Sequence, residues 1–450
     1  MLDTDVLVVG GGPVGMLVAA ELALHQVRVV VAETRTDLDL RPRAGTVHAR
    51  SLSLLARRGY VPPATPDAIQ RDPHGVRRSQ FQFAAQPVLT ISAPSVETAP
   101  IAGIPQARLE AAFEARAREL GARILRGHTV TGLQMQPDAV LADVAGAPIR
   151  AQYVVGADGA RSLVARAGNF PAQTYPATMN AIAGLAVSDS DIPVGWNPTP
   201  TGWTMHNPNP YGQARIIAMD FSGPLDNRTA PTETEYRQRL AHVLGSAPAL
   251  REVSHLTRFS DHGRFRTTLR DGRLLLAGDA AHSHYPLGGQ GLNTGMQDAF
   301  ALGWRLARVV TGRAEPAVLE DYSRDRVAVA AAVVGNTVLQ SRMMNPRTPQ
   351  VRDAVLAMLA VPAVHDGIAQ LVSGQFQSGF QPDLVIAEPE GTVHTLAGLL
   401  HHGRFVVIRP DDAAVPEAPA DAIVVTGKVF PEQPWLTAVI RPDGYLAATR

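Results

Sequence analysis

The chain has 450 residues, enough for two or three domains with ample core. Its 41 Lys+Arg balance its 41 Asp+Glu, so no net field favours nucleic acid or an anionic membrane, and pairs such as Arg57-Arg58 and Arg77-Arg78 read as solvated faces. There is no cysteine, which excludes disulfides, thiolate catalysis, iron–sulfur clusters and cysteine-ligated zinc, and Lys428 is the only lysine.

Asp3 and Asp5 lead at once into an apolar run, unlike a signal peptide, and the longest apolar stretch, Val327 to Val334, is too short to span a bilayer. A cytoplasmic protein is expected. Val6 to Val9 form a short β-branched run, followed by Gly10-Gly11-Gly12-Pro13-Val14-Gly15 and helical periodicity over 16–26. A second strand, Val27 to Ala32, ends at Glu33. This is G-x-G-x-x-G inside a strand–helix–strand unit with an acid about 20 residues on. Gly10, Gly12 and Gly15 suit a tight turn, close approach to a pyrophosphate and helix–sheet contact, and Glu33 suits a ribose hydroxyl.

Arg41-Pro42-Arg43-Ala44-Gly45 excludes regular helix, and each arginine there either meets a ligand's phosphate or ring or is solvated. A helix is predicted from His48 to Arg58 and a hairpin from Phe81–Phe83 and Val88–Ile91. Gln106 opens a helix running to Leu120 and either donates to a polyhydroxyl chain or caps. Tyr153 to Val155 lead into Gly156-Ala157-Asp158-Gly159, where Asp158 either binds a cofactor hydroxyl or bonds its own backbone. From 170 to 268 prolines are frequent and strands short, predicting an inserted, mainly antiparallel sheet. Trp203, Met205, His206, Tyr211, Phe259 and Phe265 there either line a substrate cavity or form core.

Leu274 to Ala277 read as a buried strand with Asp279 at its end, where open α/β sheets bind ligands. Pro286 and the run from Leu287 to Gly291 form a stiff, glycine-rich turn, and a helix is predicted from Leu292 to Val310. Bare N–H groups backed by a helix N-terminus suit a planar, electron-accepting ring; an ordinary capped loop is the alternative. His282 and His284 lack further ligands, so no metal is expected. A long helix spans Ala317 to Met343 until Pro346 and Pro349, and strands return in the tail from 382.

Taken together, Gly10, Gly12 and Gly15, then Gly156, Asp158 and Gly159, then Gly278 and Asp279, extended by Pro286, Gly288, Gln290, Gly291 and Asn293, resemble the class A flavoprotein monooxygenases, the para-hydroxybenzoate hydroxylase-like family, over nearly the whole chain. The tail, with Arg441-Pro442-Asp443-Gly444-Tyr445, is similar to the branch that hydroxylates aromatic polyketides and phenols, although 382–450 is short for that branch's thioredoxin-like third domain.

The resemblance implies an α/β chain. A Rossmann-like FAD-binding domain would comprise 1–75, 101–170 and 271–345, and an inserted mainly antiparallel β-sheet substrate domain 76–100 and 171–270. A long C-terminal helix would lead to a helical linker at 346–381 and a small, truncated thioredoxin-like domain at 382–450. It implies FAD, NAD(P)H (NADPH favoured) and O2, with one oxygen passing from a flavin C4a-hydroperoxide to a cyclic or polycyclic aromatic substrate. Glu33 would bind the adenosine ribose, Gly10 to Gly15 the pyrophosphate and Asp279 the ribityl chain. Arg41, Arg43, Gln106, Asp158, Gly278, Gly291, Leu292 and Asn293 would be further cofactor contacts. Pro286, Gly288 and Gly289 would face the flavin, and His206, Tyr211 or His284 would serve as base on the substrate phenol. Baeyer–Villiger insertion, epoxidation, or a flavin-bound protein that holds a polyketide without turnover are rival outcomes. A halogenase is disfavoured by the isolated Lys428 and the scattered Trp196, Trp203, Trp304 and Trp435. A monomer or homodimer is expected, with no nucleic-acid or membrane partner.

Overall fold

The structure, a computed structural model, describes residues 2–41, 43–209, 212–225, 229–410, 413–414 and 416–450. Val6 to Val9 are all buried, as in a central parallel strand covered on both faces. This strand, β1 (Leu2–Val9), pairs in parallel with Ala147–Gly156 on one side and with β2 (Val29–Glu33) on the other. Leu274–Leu276 extends the sheet beyond Ala147–Gly156, and Arg123–Arg126 beyond β2. The register puts Val9 opposite Gly156 and Gly156 opposite Leu276, so three strands far apart in sequence stop level with one another. The helix α1 (Pro13–Leu24) starts with a proline where a missing N–H costs nothing, and it packs against Gln290–Val310 and Gln106–Glu119.

The inserted sheet has five antiparallel strands in the order Gly195–Pro198, Gly202–Asn207, Ala214–Asp220, Asn180–Ser188, Leu250–Ser260. Period-2 alternation gives it two apolar faces. Ile182, Ala186, Ile216 and Ala218 pack under the helix Glu233–Leu244 through Tyr236, Leu240 and Val243. Ala181, Ala183, Trp203, Ile217 and Met219 turn the other way, towards Tyr285, Leu287, Met343 and Met344. The hairpin Val76–Phe83/Gln86–Pro94 closes this second face with Phe83, Leu89 and Ile91. The helix Val318–Met344 is long and apolar enough by length and composition to cross a membrane, which corrects the estimate made from Val327–Val334 alone. More than half of its most apolar window is buried inside the protein.

In the tail, Ile423–Thr426 and Val406–Arg409 run parallel, and Ala438–Ile440 and Leu446–Thr449 add antiparallel in that order. The described residues between these four strands carry no helix. Arg57 and Arg58 fasten this unit to the body, against the expectation of a solvated face; Arg77 and Arg78 are the pair that is exposed. Arg57 donates to Glu97 at 3.0 Å and to the Gln381 carbonyl at 2.6 Å. Arg58 donates to Glu21 at 2.9 Å and to the carbonyls of Leu400 at 2.6 Å and Pro442 at 3.1 Å. Both are buried because the helix that ends in them, Ala49–Arg57, lies between the two units. Removing one partner of a buried pair strands the other charge, so Arg58→Ala should lower unfolding free energy by about 3–5 kcal/mol. Urea denaturation measures this, and an unchanged midpoint contradicts the fastening role.

Candidate functional site

The level strand ends place three turns side by side. A Cβ at Gly10, whose φ is +99°, would lie 2.5 Å from the Ala157 carbonyl, and one at Gly15 would overlap the Gly10 carbonyl, so strand, helix and neighbouring turn touch only because both are glycine. A Cβ at Gly12 would meet nothing within 4 Å; that glycine faces open space at the start of α1. Glu33 ends β2 and is buried. Its carboxylate accepts from the Gly11 N–H at 2.6 Å and from the Arg35 N–H at 2.8 Å and Nε at 3.0 Å. Burial alone raises its pKa, but these hydrogen bonds outweigh it and hold the carboxyl below its usual range. Asp158 accepts from the N–H groups of Leu163 at 2.6 Å and Val164 at 3.3 Å through one oxygen, while its Oδ1 is buried with no partner. The backbone reading thus holds for one oxygen, and the other is left without a partner.

Gly278 sits at φ +63°, and its N–H donates to buried Asp298 at 2.9 Å. Asp298 also accepts from His282 Nε2 at 2.6 Å and Arg326 Nε at 2.6 Å. Burial pushes that carboxyl's pKa up, but His282 and Arg326 more than offset it and keep Asp298 ionised. Asp279 itself is exposed and makes no hydrogen bond to a described residue. Next to it, the Cβ position of Gly291 lies 3.5 Å from His284 Nε2 and 4.0 Å from Asp279 Oδ1. His284 Nδ1 donates to the Tyr285 carbonyl at 2.9 Å, leaving Nε2 as a buried acceptor without a partner. This brings His284 to the Asp279 end of the site.

Gly288 and Gly289 have φ of +71° and +64° and lead into Gln290–Val310, whose N-terminus no side chain caps. Its first N–H groups therefore stay available. Asn293 pins the turn by accepting from the His48 N–H at 2.9 Å and donating to the carbonyls of Thr46 at 2.9 Å and Gly289 at 2.8 Å. His48 Nε2 lies 2.7 Å from the Gly288 carbonyl, so that nitrogen carries the proton. Burial holds the ring's pKa down to about 4, and the ring is neutral. Pro286 is exposed, and Leu292 is half-buried against the main core.

The remaining expected residues separate. Arg41 and Arg43 both pair with Asp39, at 2.6 Å and 2.8 Å, and are half-exposed. Gln106 starts its helix, half-buried, with no hydrogen bond from its amide to a described residue. His206 pairs across the sheet with Ile216 and so projects to the face under Glu233–Leu244, with Nδ1 donating to the Ile192 carbonyl at 2.8 Å. The one-residue offset from Met205 sends it away from the Gly288 turn, which removes it as a base on a substrate at that turn. Tyr211 lies outside the described residues. Of the large residues in the insert, Trp203 and Phe259 reach the face opposite Tyr285, and Phe259 stacks on Tyr285 with ring centres 6.0 Å apart. Phe265 packs instead against Ala330 and Val334.

Several residues beneath the turn carry no motif in the sequence: His48, Asp298, Arg326, and Asn336 and Gln340, which lie on the helix beside Gln290. Asn336 donates to Gln290 at 2.7 Å, and Gln340 accepts from the Ala84 N–H at 3.0 Å. Two amides four residues apart on one face of a largely apolar helix were the available signal. Among the described residues no group of three His, Asp or Glu could hold a metal ion.

The orphaned Asp158 Oδ1 and His284 Nε2, the unpaired Asp279 carboxylate and the open space at Gly12 all lie along the ends of the same sheet. Such a set accepts hydroxyls and admits a pyrophosphate, and so fits FAD. A parallel sheet with these turns and an inserted antiparallel sheet is the architecture of an FAD-dependent oxidoreductase. The family described as "FAD binding domain" matches residues 3–337, and the chain belongs to that family. It is 32% identical to a 12-dehydrotetracycline 5-monooxygenase/anhydrotetracycline 6-monooxygenase of Streptomyces rimosus, over 99% of this chain and 95% of the relative. Its fold matches the anhydrotetracycline hydroxylase structure from Streptomyces rimosus with a TM-score of 0.87 and 30% identity, covering 100% of this chain and 96% of the other. A Diels-Alderase of pyrroindomycin biosynthesis matches with a TM-score of 0.85 and 28% identity, over 99% and 96%. The chain is an FAD-dependent monooxygenase by these relationships. Asp279→Ala should weaken FAD binding at least about tenfold, the loss of one charge-assisted hydrogen bond of about 1.5–3 kcal/mol. Fluorescence titration reads it, and wild-type affinity in the variant refutes the contact.

Proposed function

We propose that the protein inserts one oxygen atom into a polycyclic aromatic phenol of polyketide type, held between the Pro286–Gly289 turn and the inserted sheet. The observation that carries this reading is the apolar sheet face of Trp203, Met205, Met219 and Phe259, which meets Tyr285 and Leu287 at that turn. Polar tips there are already satisfied: Trp203 Nε1 donates to the Met344 carbonyl at 2.6 Å and the Tyr285 hydroxyl to Met219 Sδ at 2.7 Å. A flat, apolar ring system therefore suits this face better than a small polar one. FAD, reduced by NAD(P)H (NADPH favoured), supplies the oxygen-transfer chemistry when bound.

Glu33 takes the adenosine ribose, Gly10 to Gly15 the pyrophosphate, and Asp279 with His284 the ribityl side. Asp158 offers Oδ1 to a cofactor hydroxyl. Gln106 keeps the ribityl role because its amide is uncommitted, whereas Arg41 and Arg43 reach phosphate only by leaving Asp39. The first-turn N–H groups of Gln290–Val310 stabilise negative charge on the bound ring. The tail's strand order, a parallel pair followed by an antiparallel pair, supports a thioredoxin-like sheet with no helix among the described residues that join its four strands, and its short length accords with that. A cytoplasmic monomer or homodimer accords with this reading.

The similarity to the Diels-Alderase favours one second reading, in which the same cleft holds a polyketide without redox turnover. Steady-state NADPH oxidation separates the two. A panel of polycyclic phenols should include at least one that stimulates oxidation about tenfold or more, with a product one oxygen heavier. Ligand binding without any stimulation would establish the second reading instead.

A further inference from the structure

Five arginines among the described residues are buried: Arg50, Arg57, Arg58, Arg305 and Arg326. Four of them face a carboxylate, Arg57 on Glu97 at 3.0 Å, Arg58 on Glu21 at 2.9 Å, Arg305 on Asp325 at 2.9 Å and Arg326 on Asp298 at 2.6 Å. Arg50 is only 7% exposed and has no carboxylate partner among the described residues. Its guanidinium lies 3.3 Å from the centre of the Phe380 ring, and Nε makes one long contact, 3.4 Å, to the Gly374 carbonyl. Stacking satisfies the flat face of the group and leaves the two terminal nitrogens with no described acceptor. A buried cation without a counter-charge is costly, and the other four arginines are spared that cost.

Arg50 lines a cavity of about 600 Å³ where the strand Gln86–Pro94 meets the helices Ala49–Arg57 and Pro362–Ser373 and the segment from Phe380 to Pro382. That volume suits a small molecule. The cavity shares no lining residue with the flavin turn or with the Trp203 face. The lining carries two cations, Arg50 and Arg78, and two carboxylates, Glu97 and Asp366. Glu97 is committed to Arg57, Asp366 is exposed and contacts His365 Nδ1 at 3.0 Å, and exposed Arg78 has no partner among the described residues, so Arg50 is the buried charge of the lining left without a salt-bridge partner. His365 Nε2 accepts from the Thr90 N–H at 3.0 Å, so that ring is neutral. A planar fork of N–H donors aimed into a polar cavity matches an oxyanion.

We propose that this cavity is a second ligand site, separate from the flavin cleft, that binds the carboxylate or phosphate of a small molecule through Arg50. Calorimetric titration of the FAD-loaded protein with inorganic phosphate and, separately, with benzoate tests it. At least one probe should bind at a single site, and the one that binds names the group recognised. Arg50→Gln should weaken that binding about tenfold or more without changing FAD content. Gln370→Glu, which adds a negative charge at the exposed rim, should weaken it about threefold. No binding of either probe at tens of millimolar, or equal binding in Arg50→Gln, overturns the proposal. If Arg50→Gln does not fold, unchanged affinity in Gln370→Glu overturns it.

Discussion

Everything at the site depends on one register. Val9, Gly156 and Leu276 lie abreast in a parallel sheet, so the segments that follow them must turn at the same edge. Backbone hydrogen bonding fixes that alignment, and side chains only refine it: shifting one strand by a residue would reverse its faces and displace its turn. The glycine at each turn then lets neighbouring backbones approach to contact, as the crowding at Gly10 and Gly15 demonstrates.

A buried polar layer supports that edge from behind. Asp298 grips the Gly278 N–H and is itself held by His282 and Arg326, while Asn293 and His48 tie the Gly288–Gly289 turn to the strand Thr46–His48. These groups hold the Gly278 turn and the Gly288–Gly289 turn in fixed positions at that edge. The arginines that anchor the tail continue the same scheme. Arg57 and Arg58 leave the helix that begins beside His48 and end on carbonyls of the C-terminal unit.

Much of this was legible in the sequence because local patterns encode it. The run Val6 to Val9 with its glycines, the Asp158 turn and the Asp279 turn each announce a strand end, and the helices begin and end within a few residues of the predicted bounds, whereas strands such as Ala147–Gly156 and Val76–Phe83 start well before the apolar stretch that marks them. Pairing distance and orientation were not legible. Arg57 and Arg58 have the composition of a surface pair, yet tertiary packing buries them. His206 and Met205 are adjacent in sequence but lie on opposite faces, and only the register of Gly202–Asn207 against Ala214–Asp220 decides which one meets the cleft. His48 and Asp298 carry no motif of their own, since their role lies in what they touch 240 and 20 residues away.

The central claim is that these separated turns converge on one FAD. The most direct measurement is to purify the protein, saturate it with FAD, remove the excess by gel filtration, and quantify the flavin released on denaturation. One FAD per chain is the predicted result. A protein that stays colourless after this treatment would contradict the account at its root.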